Sequence, residues 1–285
     1  MISGTARPTN ISARRCNPAH HQRPAQAAAC AGVCSLMPLE PTLTPQLGRS
    51  TVSAVIPCLN EEAAIGPCVA AVVASGLGEV IVVDGGSTDL TVARASEAGA
   101  RVVVERRRGY GRALLSGLAT VSPAATIVLF IDGDGSDRTE MIPTLLAPIE
   151  QGTADFVLGS RLRGSREHGS LTGPQIVAGH LAGYLIYLRY RVRFTDMSPF
   201  RAIGHRALQR LGMREETYGW NLEMQMRAAA AGLRIVEVPV GQRRRVGGVS
   251  KVSGNAWTAV RVAWVLVATF IRLALSSEKT GRWRS

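Results

Sequence analysis

The chain has 285 residues, 46% of them hydrophobic, which excludes a wholly disordered chain and is enough for one large domain with appendages. Its five cysteines are odd in number and lack paired C-x-x-C spacing, which excludes a disulfide framework and a zinc site and indicates a reduced, cytosolic protein. The net charge of +12 is concentrated in residues 157–285, a bias that indicates phosphate, anionic-lipid or nucleic-acid partners, or else a solvated basic surface.

The first 48 residues are predicted to form a disordered tail. They are rich in Ala, Pro, Ser and Arg, contain no acidic residue before Glu40 and show no helical or strand period. They also lack the apolar run of a secretory signal, although their Arg-rich, acid-poor composition resembles an organelle transit peptide. Instead of a targeting peptide, we favour an upstream start codon, so that the protein would begin at Met37 and not at Met1.

From Thr51 onward the apolar residues alternate between strand and helix spacing. Buried strands are predicted at 52–57, 80–83 and 101–105, and helices at 62–74 and from Ser87 or Thr88 to about 98. Strands and helices in this alternation form a right-handed, mostly parallel α/β sheet. Ligands of such sheets bind at the carboxyl ends of the strands.

Polar side chains follow the predicted strand ends and are expected to share one rim of the sheet. They are Asn60, Glu61, Asp84, Ser87, Asp89, Asp132 and Asp134. A Rossmann dinucleotide site is disfavoured, because the first strand is followed by PCLNEE and not by the G-x-G-x-x-G turn that admits a pyrophosphate. NAD binding is therefore not expected.

The segment TIVLFIDGDGSD, residues 126–137, is the centre of the predicted site. Its first six residues read as a strand buried on both faces, and Asp132 and Asp134 follow at the carboxyl end. Two carboxylates separated by a glycine can hold one Mg²⁺ or Mn²⁺ that also binds the oxygens of a diphosphate. The alternative is a turn whose acids only hydrogen-bond their own backbone.

Further elements surround this strand in the sequence. Gly109 and Gly111 let backbone amides approach an anion at the start of a helix, although the same pattern suits an ordinary solvated loop. Asp196 and Arg201 fall in a predicted loop. The segment 173–193 is expected to be a helix that lies over the sheet or on a surface and does not cross a bilayer. Other helices are predicted at 138–149 and 218–232, and strands at 154–161 and 234–240.

The last apolar segment runs from Trp257 to Leu275 and contains Arg261 and Arg272. Only 10 residues separate these arginines. Roughly 20 apolar residues are needed to cross the hydrocarbon core of a bilayer, so the segment is too short to span it. With Trp257 and Trp264 beside the arginines, it is predicted to be an amphipathic helix in the membrane interface. A helix packed on the domain, or a dimer contact, is the alternative.

Nine segments together resemble the family 2 glycosyltransferases, and within them the dolichyl- and polyprenyl-phosphate mannosyl- and glucosyltransferases. In chain order they are IPCLNEE, VVDGGSTD, GYGRALLSG, FIDGDGSD, VLGSR, TDMSPFRAI, GWNLEMQMRA, EVPV and RRRVGGVSK. The resemblance implies a GT-A fold, a Rossmann-like α/β sheet, with a nucleotide-diphospho-sugar donor, a divalent metal and inversion at the anomeric carbon. Together with the composition of the tail and the pattern of the last apolar segment, it predicts a disordered tail (1–48), a GT-A domain (49–252) and a C-terminal amphipathic helix with its tail (253–285).

The resemblance also implies roles for individual residues. The nucleotide-sugar would be bound by Pro57, Asn60, Glu61, Asp84, Ser87, Gly109, Gly111, Asp132 and Arg161. Asp132 and Asp134 would hold Mg²⁺ or Mn²⁺, and Asp134 would be catalytic. The acceptor phosphate would be held by Arg201, Arg245 and Lys251. The chain departs from the family pattern in having a glycine between the two aspartates and an arginine at position 112.

The acceptor decides whether a general base is required. A phosphate monoester is already ionised near neutral pH, whereas a hydroxyl needs a carboxylate within about 3 Å of its proton. Glu223, and after it Asp196, are the candidates for that base. The alternative for Glu223 is a salt bridge to a neighbouring arginine.

The sequence thus predicts a metal-dependent, inverting hexosyltransferase that acts on a polyprenyl phosphate at the cytoplasmic, inner face of the membrane. One alternative keeps the donor but has a lipid or small-molecule hydroxyl as acceptor, and another is a non-catalytic basic protein that binds anions. Nucleic acid is not an expected partner, because the arginines accompany acids at strand ends without a basic platform interleaved with aromatic residues. The sequence leaves open whether the protein forms a homodimer.

Overall fold

A computed structural model of the chain describes residues 51–247 and 256–279, and in the last helix it describes the side chains of residues 264–275. Several predictions fall outside these residues. They are the disordered tail, the start at Met1 or Met37, the phosphate ligand Lys251 and the side chains of Trp257 and Arg261.

Seven strands of the described residues form one sheet in the order β3-β2-β1-β4-β6-β5-β7. The strands are β1 (Val52–Cys58), β2 (Glu79–Asp84), β3 (Arg101–Val104), β4 (Ile127–Phe130), β5 (Phe156–Ser160), β6 (Arg201–Gly204) and β7 (Ile235–Pro239). Strand β6 runs antiparallel to both of its neighbours, and the other neighbouring pairs are parallel. The mostly parallel α/β sheet expected from the sequence is confirmed.

Helices cover both faces of the sheet. They are α1 (Glu62–Ala74), α2 (Thr91–Glu97), α3 (Tyr110–Leu118), α4 (Ile142–Glu150), α5 (Gly173–Tyr190), α6 (His205–Leu211), α7 (Trp220–Ala230) and α8 (Ala256–Lys279). The longest of those in residues 51–247, α5, begins with a capping box in which Thr172 and Gln175 satisfy each other's free amides. Among the described helices, none has the length and apolar content that a membrane span requires.

The central strands are buried on both faces because they are apolar at successive positions. In β1, Val55 packs into the core on one face of the sheet with Leu114 of α3, and Ile56 packs into the core on the other face with Ile65 of α1. Gly117 lets α3 approach the sheet closely, since a Cβ at this position would overlap Val55. A close-packed sheet of this kind holds the carboxyl ends of its strands in fixed positions.

Several elements differ from the expectation based on sequence: α4 begins at Ile142 and not at 138, and α6 was not expected. Helix α2 begins at Thr91 and not at Ser87 or Thr88, because the Asp84 carboxylate accepts the amide hydrogens of the two residues before Thr88 and holds them in a turn. Arg201 lies in β6 and not in a loop, buried between β4 and β5. A strand of four residues has little periodic signal of its own, so its pairing partners decide its conformation.

Candidate active site

A cleft of about 840 Å³ lies at the carboxyl ends of β1, β4 and β5, where ligands of parallel sheets bind. Eight of the predicted site residues line it: Pro57, Glu61, Gly109, Asp132, Asp134, Arg161, Asp196 and Arg245. Six predicted residues do not line it: Asn60, Asp84, Ser87, Gly111, Arg201 and Glu223. The topology therefore brings together residues that are far apart in the chain, and it separates several that the motifs had grouped.

Asp132 and Asp134 lie close together in this cleft, on the turn that follows β4. A carboxylate oxygen of Asp132 accepts a hydrogen bond of 3.2 Å from the Tyr110 hydroxyl. Asp134 accepts one of 2.9 Å from the Ser136 amide and another of 2.9 Å from Nε of Arg245. Burial, together with the negative charge of Asp134, raises the pKa of Asp132 to about 7. The two carboxylates are thus near enough to repel each other.

This pair of carboxylates fits a hard divalent cation. A bound Mg²⁺ or Mn²⁺ would relieve their mutual repulsion, and carboxylate oxygens are ligands that these ions prefer. Within residues 51–247 and 256–279, no cluster of three or more His, Cys, Asp or Glu side chains is arranged to hold a metal ion by itself. Asp132 and Asp134 would therefore share the ion with oxygens from outside the chain, such as those of a diphosphate.

The basic loop 243–247 lies against the turn that carries the two aspartates. The amide of Val246 donates a hydrogen bond of 3.2 Å to the carbonyl oxygen of Asp134. The guanidinium of Arg245 lies 2.8 Å from the Asp134 carboxylate and 3.3 Å from the Glu61 carboxylate. The guanidinium of Arg245 therefore joins the loop after β1 to the turn after β4 in the wall of the cleft.

Arg161 and Asp196 form a bidentate ion pair in the wall of the cleft. Nε and a terminal nitrogen of Arg161 each lie 2.7 Å from one carboxylate oxygen of Asp196. The backbone amides of Arg161 and Met197 donate to the same carboxylate. Burial raises the pKa of Asp196, but the hydrogen bonds and charge of Arg161 outweigh it, so that the pKa lies below its usual value. Asp196 is therefore a poor proton acceptor, contrary to its predicted role as a base.

Asp84, Ser87 and Asn60 shape the rim of the cleft without lining it. Asp84 is 1% exposed, and its carboxylate accepts hydrogen bonds from two backbone amides and from the Ser87 hydroxyl. The side-chain oxygen of Asn60 accepts a hydrogen bond of 2.9 Å from the Thr88 amide. Gly85, between these groups, does line the cleft. The expected contact of Asp84 with the nucleotide is corrected to support of the backbone at Gly86 and Ser87, whereas contact of the exposed Asn60 and the half-buried Ser87 with a nucleotide stays a prediction.

Arg201, expected to hold an acceptor phosphate, is fully buried. Its guanidinium donates to the carbonyl oxygens of Ser198 and Asn221 and lies 5.9 Å from the centre of the Phe156 ring. Burial lowers the pKa of Arg201 to about 10. The expectation is corrected, because this guanidinium joins the turn before β6 to α7 and is enclosed by protein.

Glu223, the first candidate for a general base, also lies outside the cleft and is 1% exposed. One carboxylate oxygen accepts the amides of Arg214 and Glu215 at 3.0 and 2.7 Å. The other accepts a hydrogen bond of 2.8 Å from Nε of Arg227. The expectation of a base is therefore corrected, and the alternative of a salt bridge to a neighbouring arginine is the one found.

Glu223→Gln is expected to act on stability and not on the chemical step. An amide side chain can no longer accept hydrogen bonds at both positions and removes the negative charge that faces Arg227, so the free energy of unfolding should fall by about 2–3 kcal/mol. Denaturant unfolding measures this change, and steady-state kinetics on the folded fraction measure kcat. A large loss of kcat in a variant of unchanged stability would contradict this role.

Gly109 and Gly111 both lie against the chain at Glu215 and Glu216. Gly109 lines the cleft with φ of 147°, a backbone conformation that favours glycine. A Cβ on Gly109 would overlap the carbonyl oxygen of Glu216, and a Cβ on Gly111 would overlap that of Glu215. The glycine motif therefore allows α3 to begin against a second segment of backbone, and only Gly109 reaches the cleft itself.

Gly111→Ala is expected to lower the free energy of unfolding by about 1–3 kcal/mol or more, because the added methyl group meets backbone that cannot move aside as a side chain could. Thermal or denaturant unfolding measures the change. Gly173→Ala is the matched control, since nothing lies within 4 Å of a Cβ at that position. Equal stability of the two variants would show that the close approach at Gly111 is not tight.

Several cleft residues were absent from the sequence-based prediction, among them Tyr110 and Glu105. Hydrogen bonds from Arg107 and Ser116 hold the pKa of Glu105 at about 2, so this acid is ionised and paired. Two signals were available in the sequence. Tyr110 stands inside the glycine motif, and Glu105 is the last residue of a predicted strand, at the same sheet edge as the other rim residues.

Comparison with known proteins identifies the family. Residues 53–216 match the family model described as glycosyl transferase family 2. Over 212 residues the chain is 41% identical to a protein of Mycobacterium tuberculosis named as an uncharacterized glycosyltransferase, which covers 73% of this chain and 93% of that protein. It is 32% identical over 204 residues to a dolichyl-phosphate hexose transferase of Haloferax volcanii, with 69% of this chain and 84% of that protein covered.

The fold is shared with a solved enzyme. Glucosyl-3-phosphoglycerate synthase from Mycobacterium tuberculosis, in complex with Mn²⁺, UDP-glucose and phosphoglyceric acid, superposes with a TM-score of 0.62 at 24% identity. The match covers 82% of this chain and 85% of that one. Together with the paired aspartates on the turn after β4, these comparisons show that the chain has the GT-A fold and belongs to the family 2 glycosyltransferases.

Proposed function

We propose that this glycosyltransferase moves a hexose, with inversion, from a UDP- or GDP-linked sugar to a polyprenyl-phosphate-type lipid. The relatives named as a dolichyl-phosphate hexose transferase and, in Micrococcus luteus, as an undecaprenyl-phosphate mannosyltransferase support this acceptor class. The proposal includes the division into a catalytic domain (49–252) and a C-terminal helix (253–285), and a peripheral position at the inner face of the membrane.

The donor end of the proposal depends on Asp132 and Asp134. These two residues would hold Mg²⁺ or Mn²⁺, which would neutralise the charge that develops on the leaving diphosphate. Arg245 already contacts Asp134 and can turn its charge toward a diphosphate bound there. Mn²⁺ and UDP-glucose in the crystals of the synthase with the same fold support this arrangement.

One observation carries the acceptor end of the proposal: the cleft carboxylates are already engaged. Of the described acids that line the cleft, Glu61 and Asp134 are paired with Arg245, and Asp132 accepts a hydrogen bond from Tyr110 and would share the metal with Asp134. The other two, Glu105 and Asp196, are paired with Arg107 and Arg161. A hydroxyl acceptor needs a carboxylate that can take its proton, whereas a phosphate monoester is ionised near neutral pH and needs only cations. The cleft is therefore better suited to a phosphate.

A thermal-shift panel of UDP- and GDP-sugars with Mn²⁺ identifies the donor, because a ligand that binds the native state raises the melting temperature. Transfer is then assayed from that donor to a polyprenyl phosphate, to the matching polyprenyl alcohol and to glycerol 3-phosphate. The expected product is the phosphodiester-linked lipid. Transfer to the alcohol, or to a hydroxyl oxygen of glycerol 3-phosphate, in preference to the polyprenyl phosphate would favour the alternative, a hydroxyl acceptor, and would reject the phosphate proposal.

A further inference from the structure

The outer face of α5 is apolar where a surface helix would ordinarily be polar. Four side chains spaced at helical intervals are 48–66% exposed: Val177, Leu181, Tyr184 and Leu188. The opposite side of the same helix is packed into the protein through Ala182 and Ile186. An exposed apolar stripe of this length indicates a surface that meets a partner.

Helix α8 repeats this arrangement beside α5. Among its described side chains, those of residues 264–275, four large apolar ones are exposed, with Trp264 72% exposed: Trp264, Val267, Ile271 and Leu275. The inward face is anchored, since Thr269 and Leu273 are buried, and the partly exposed Arg272 forms an ion pair with the buried Glu215. Because α5 and α8 pack against each other, the two apolar stripes lie on neighbouring helices.

Charge and aromatic residues specify the partner. Residues 173–193 contain no Asp or Glu, and three arginines stand at or just beyond the end of α5: Arg189, Arg191 and Arg193. The guanidinium groups of Arg191 and Arg193 lie 5.6 and 5.0 Å from the centre of the Tyr187 ring. Apolar side chains bordered by arginine and aromatic rings suit an anionic lipid surface, whereas a second copy of the chain would bring like charges together.

Both helices also form part of the wall of the cleft. The inward side of α5 contributes Gln175, Ala178 and Gly179 to the lining, and α8 contributes Leu266. Each helix therefore has the active-site cleft on one side and an exposed apolar stripe on the other. A molecule that is anchored in a bilayer under the stripes would have its headgroup beside the cleft.

We propose that α5 and α8 together form a lipid-facing surface that docks on an anionic bilayer, and that the hydrocarbon chain of the acceptor reaches the cleft along the seam between them. The docking surface depends only on the two stripes and the arginines. The path of the hydrocarbon chain rests on the proposed function, because it requires a lipid-phosphate acceptor.

The docking surface is tested with the full chain and vesicles of phosphatidylcholine and phosphatidylglycerol. We expect a double variant of α5, Leu181→Glu with Leu188→Glu, and a variant of α8, Trp264→Glu, to lower co-sedimentation with the vesicles by about tenfold or more, since each removes apolar area from the contact. Leu90→Glu is the matched control, because Leu90 is 56% exposed at the start of α2 and outside both stripes. Binding of the α5 variant at the wild-type level would overturn the proposal.

Light scattering of the same proteins tests whether the apolar stripes bind a second copy of the chain instead of a membrane. We expect the wild type and the stripe variants to have the same mass in solution. A wild-type dimer that dissociates in the stripe variants would assign the stripes to a protein interface and would overturn the docking surface.

The path of the hydrocarbon chain is tested by comparing two acceptors. With a long-chain polyprenyl phosphate in vesicles, the stripe variants should lose transfer, whereas with a short, water-soluble prenyl phosphate they should keep it within about twofold of the wild type. Equal loss with both acceptors would reject the path. If the wild type uses neither acceptor, the proposed function fails, and the vesicle-binding result still decides the surface.

Discussion

Asp134→Ala is expected to lower kcat/KM for hexose transfer by about 10³-fold or more, equivalent to about 4 kcal/mol of transition-state stabilisation. The substitution leaves Asp132 as the only carboxylate of the pair, so that the cleft would lose its means of holding a cation against the leaving diphosphate. The fold should persist, because Arg245 keeps its contact with Glu61 and the carbonyl oxygen of Asp134 still accepts the Val246 amide.

Three measurements check this expectation. Circular dichroism and melting temperature report the fold, a transfer assay reports kcat/KM, and the shift in melting temperature on adding Mn²⁺ reports metal binding. Asp155→Ala is the matched control, because Asp155 is also paired with an arginine, Arg234 at 2.8 Å, and does not line the cleft. We expect its activity to lie within about twofold of the wild type. Unchanged turnover and Mn²⁺ response in Asp134→Ala would remove the basis for a metal-diphosphate site at this turn.

The fold could be predicted from the sequence because its signals are local. The runs that became β1, β2 and β4 are apolar at successive positions, as buried parallel strands require, and each is followed by polar residues. Since the carboxyl ends of parallel strands meet at one rim, the places of Glu61, Asp132 and Asp134 in the cleft could be anticipated.

The direction of individual side chains could not be predicted in the same way. Position after a strand or within a helix does not reveal whether a carboxylate faces the cleft or is held by backbone amides. Glu223 and Asp84 are both held by backbone amides, and both are nearly fully buried. Arg201 was expected in a loop, but it belongs to β6, and its side chain points into the interior.

Pairings across long stretches of the chain were likewise invisible in the sequence. Arg161 meets Asp196 across 35 residues, and Arg245 meets Asp134 across 111. Such pairs arise from the topology of the sheet and carry no local pattern. They nevertheless decide the chemistry here, because they determine which cleft acids have their charge satisfied by protein.

Arg245→Ala is expected to lower kcat/KM by about 10²-fold, or about 2.7 kcal/mol of transition-state stabilisation. The side chain of Arg245 is 27% exposed, so that solvent screens its charge only in part, and it faces Glu61 and Asp134, which are 4% and 11% exposed. Its removal leaves these two carboxylates unbalanced in the part of the cleft where the anionic diphosphate would lie. Arg245→Lys should recover only part of the activity, because an ammonium group lacks the planar fork that reaches both acids.

Arg243→Ala is the matched control for this prediction. Arg243 belongs to the same basic loop, but its side chain is 44% exposed and pairs with Glu140 outside the cleft. Its loss should change kcat/KM by no more than about twofold. In Arg245→Ala, Mn²⁺ binding should be retained or strengthened, because the guanidinium that competes with the metal at Asp134 is gone. In Asp134→Ala, Mn²⁺ binding should be lost, so the Mn²⁺ response distinguishes the two variants. Equal losses of activity in Arg243→Ala and Arg245→Ala would assign the effect to the overall charge of the loop and not to the contact of Arg245 with Glu61 and Asp134.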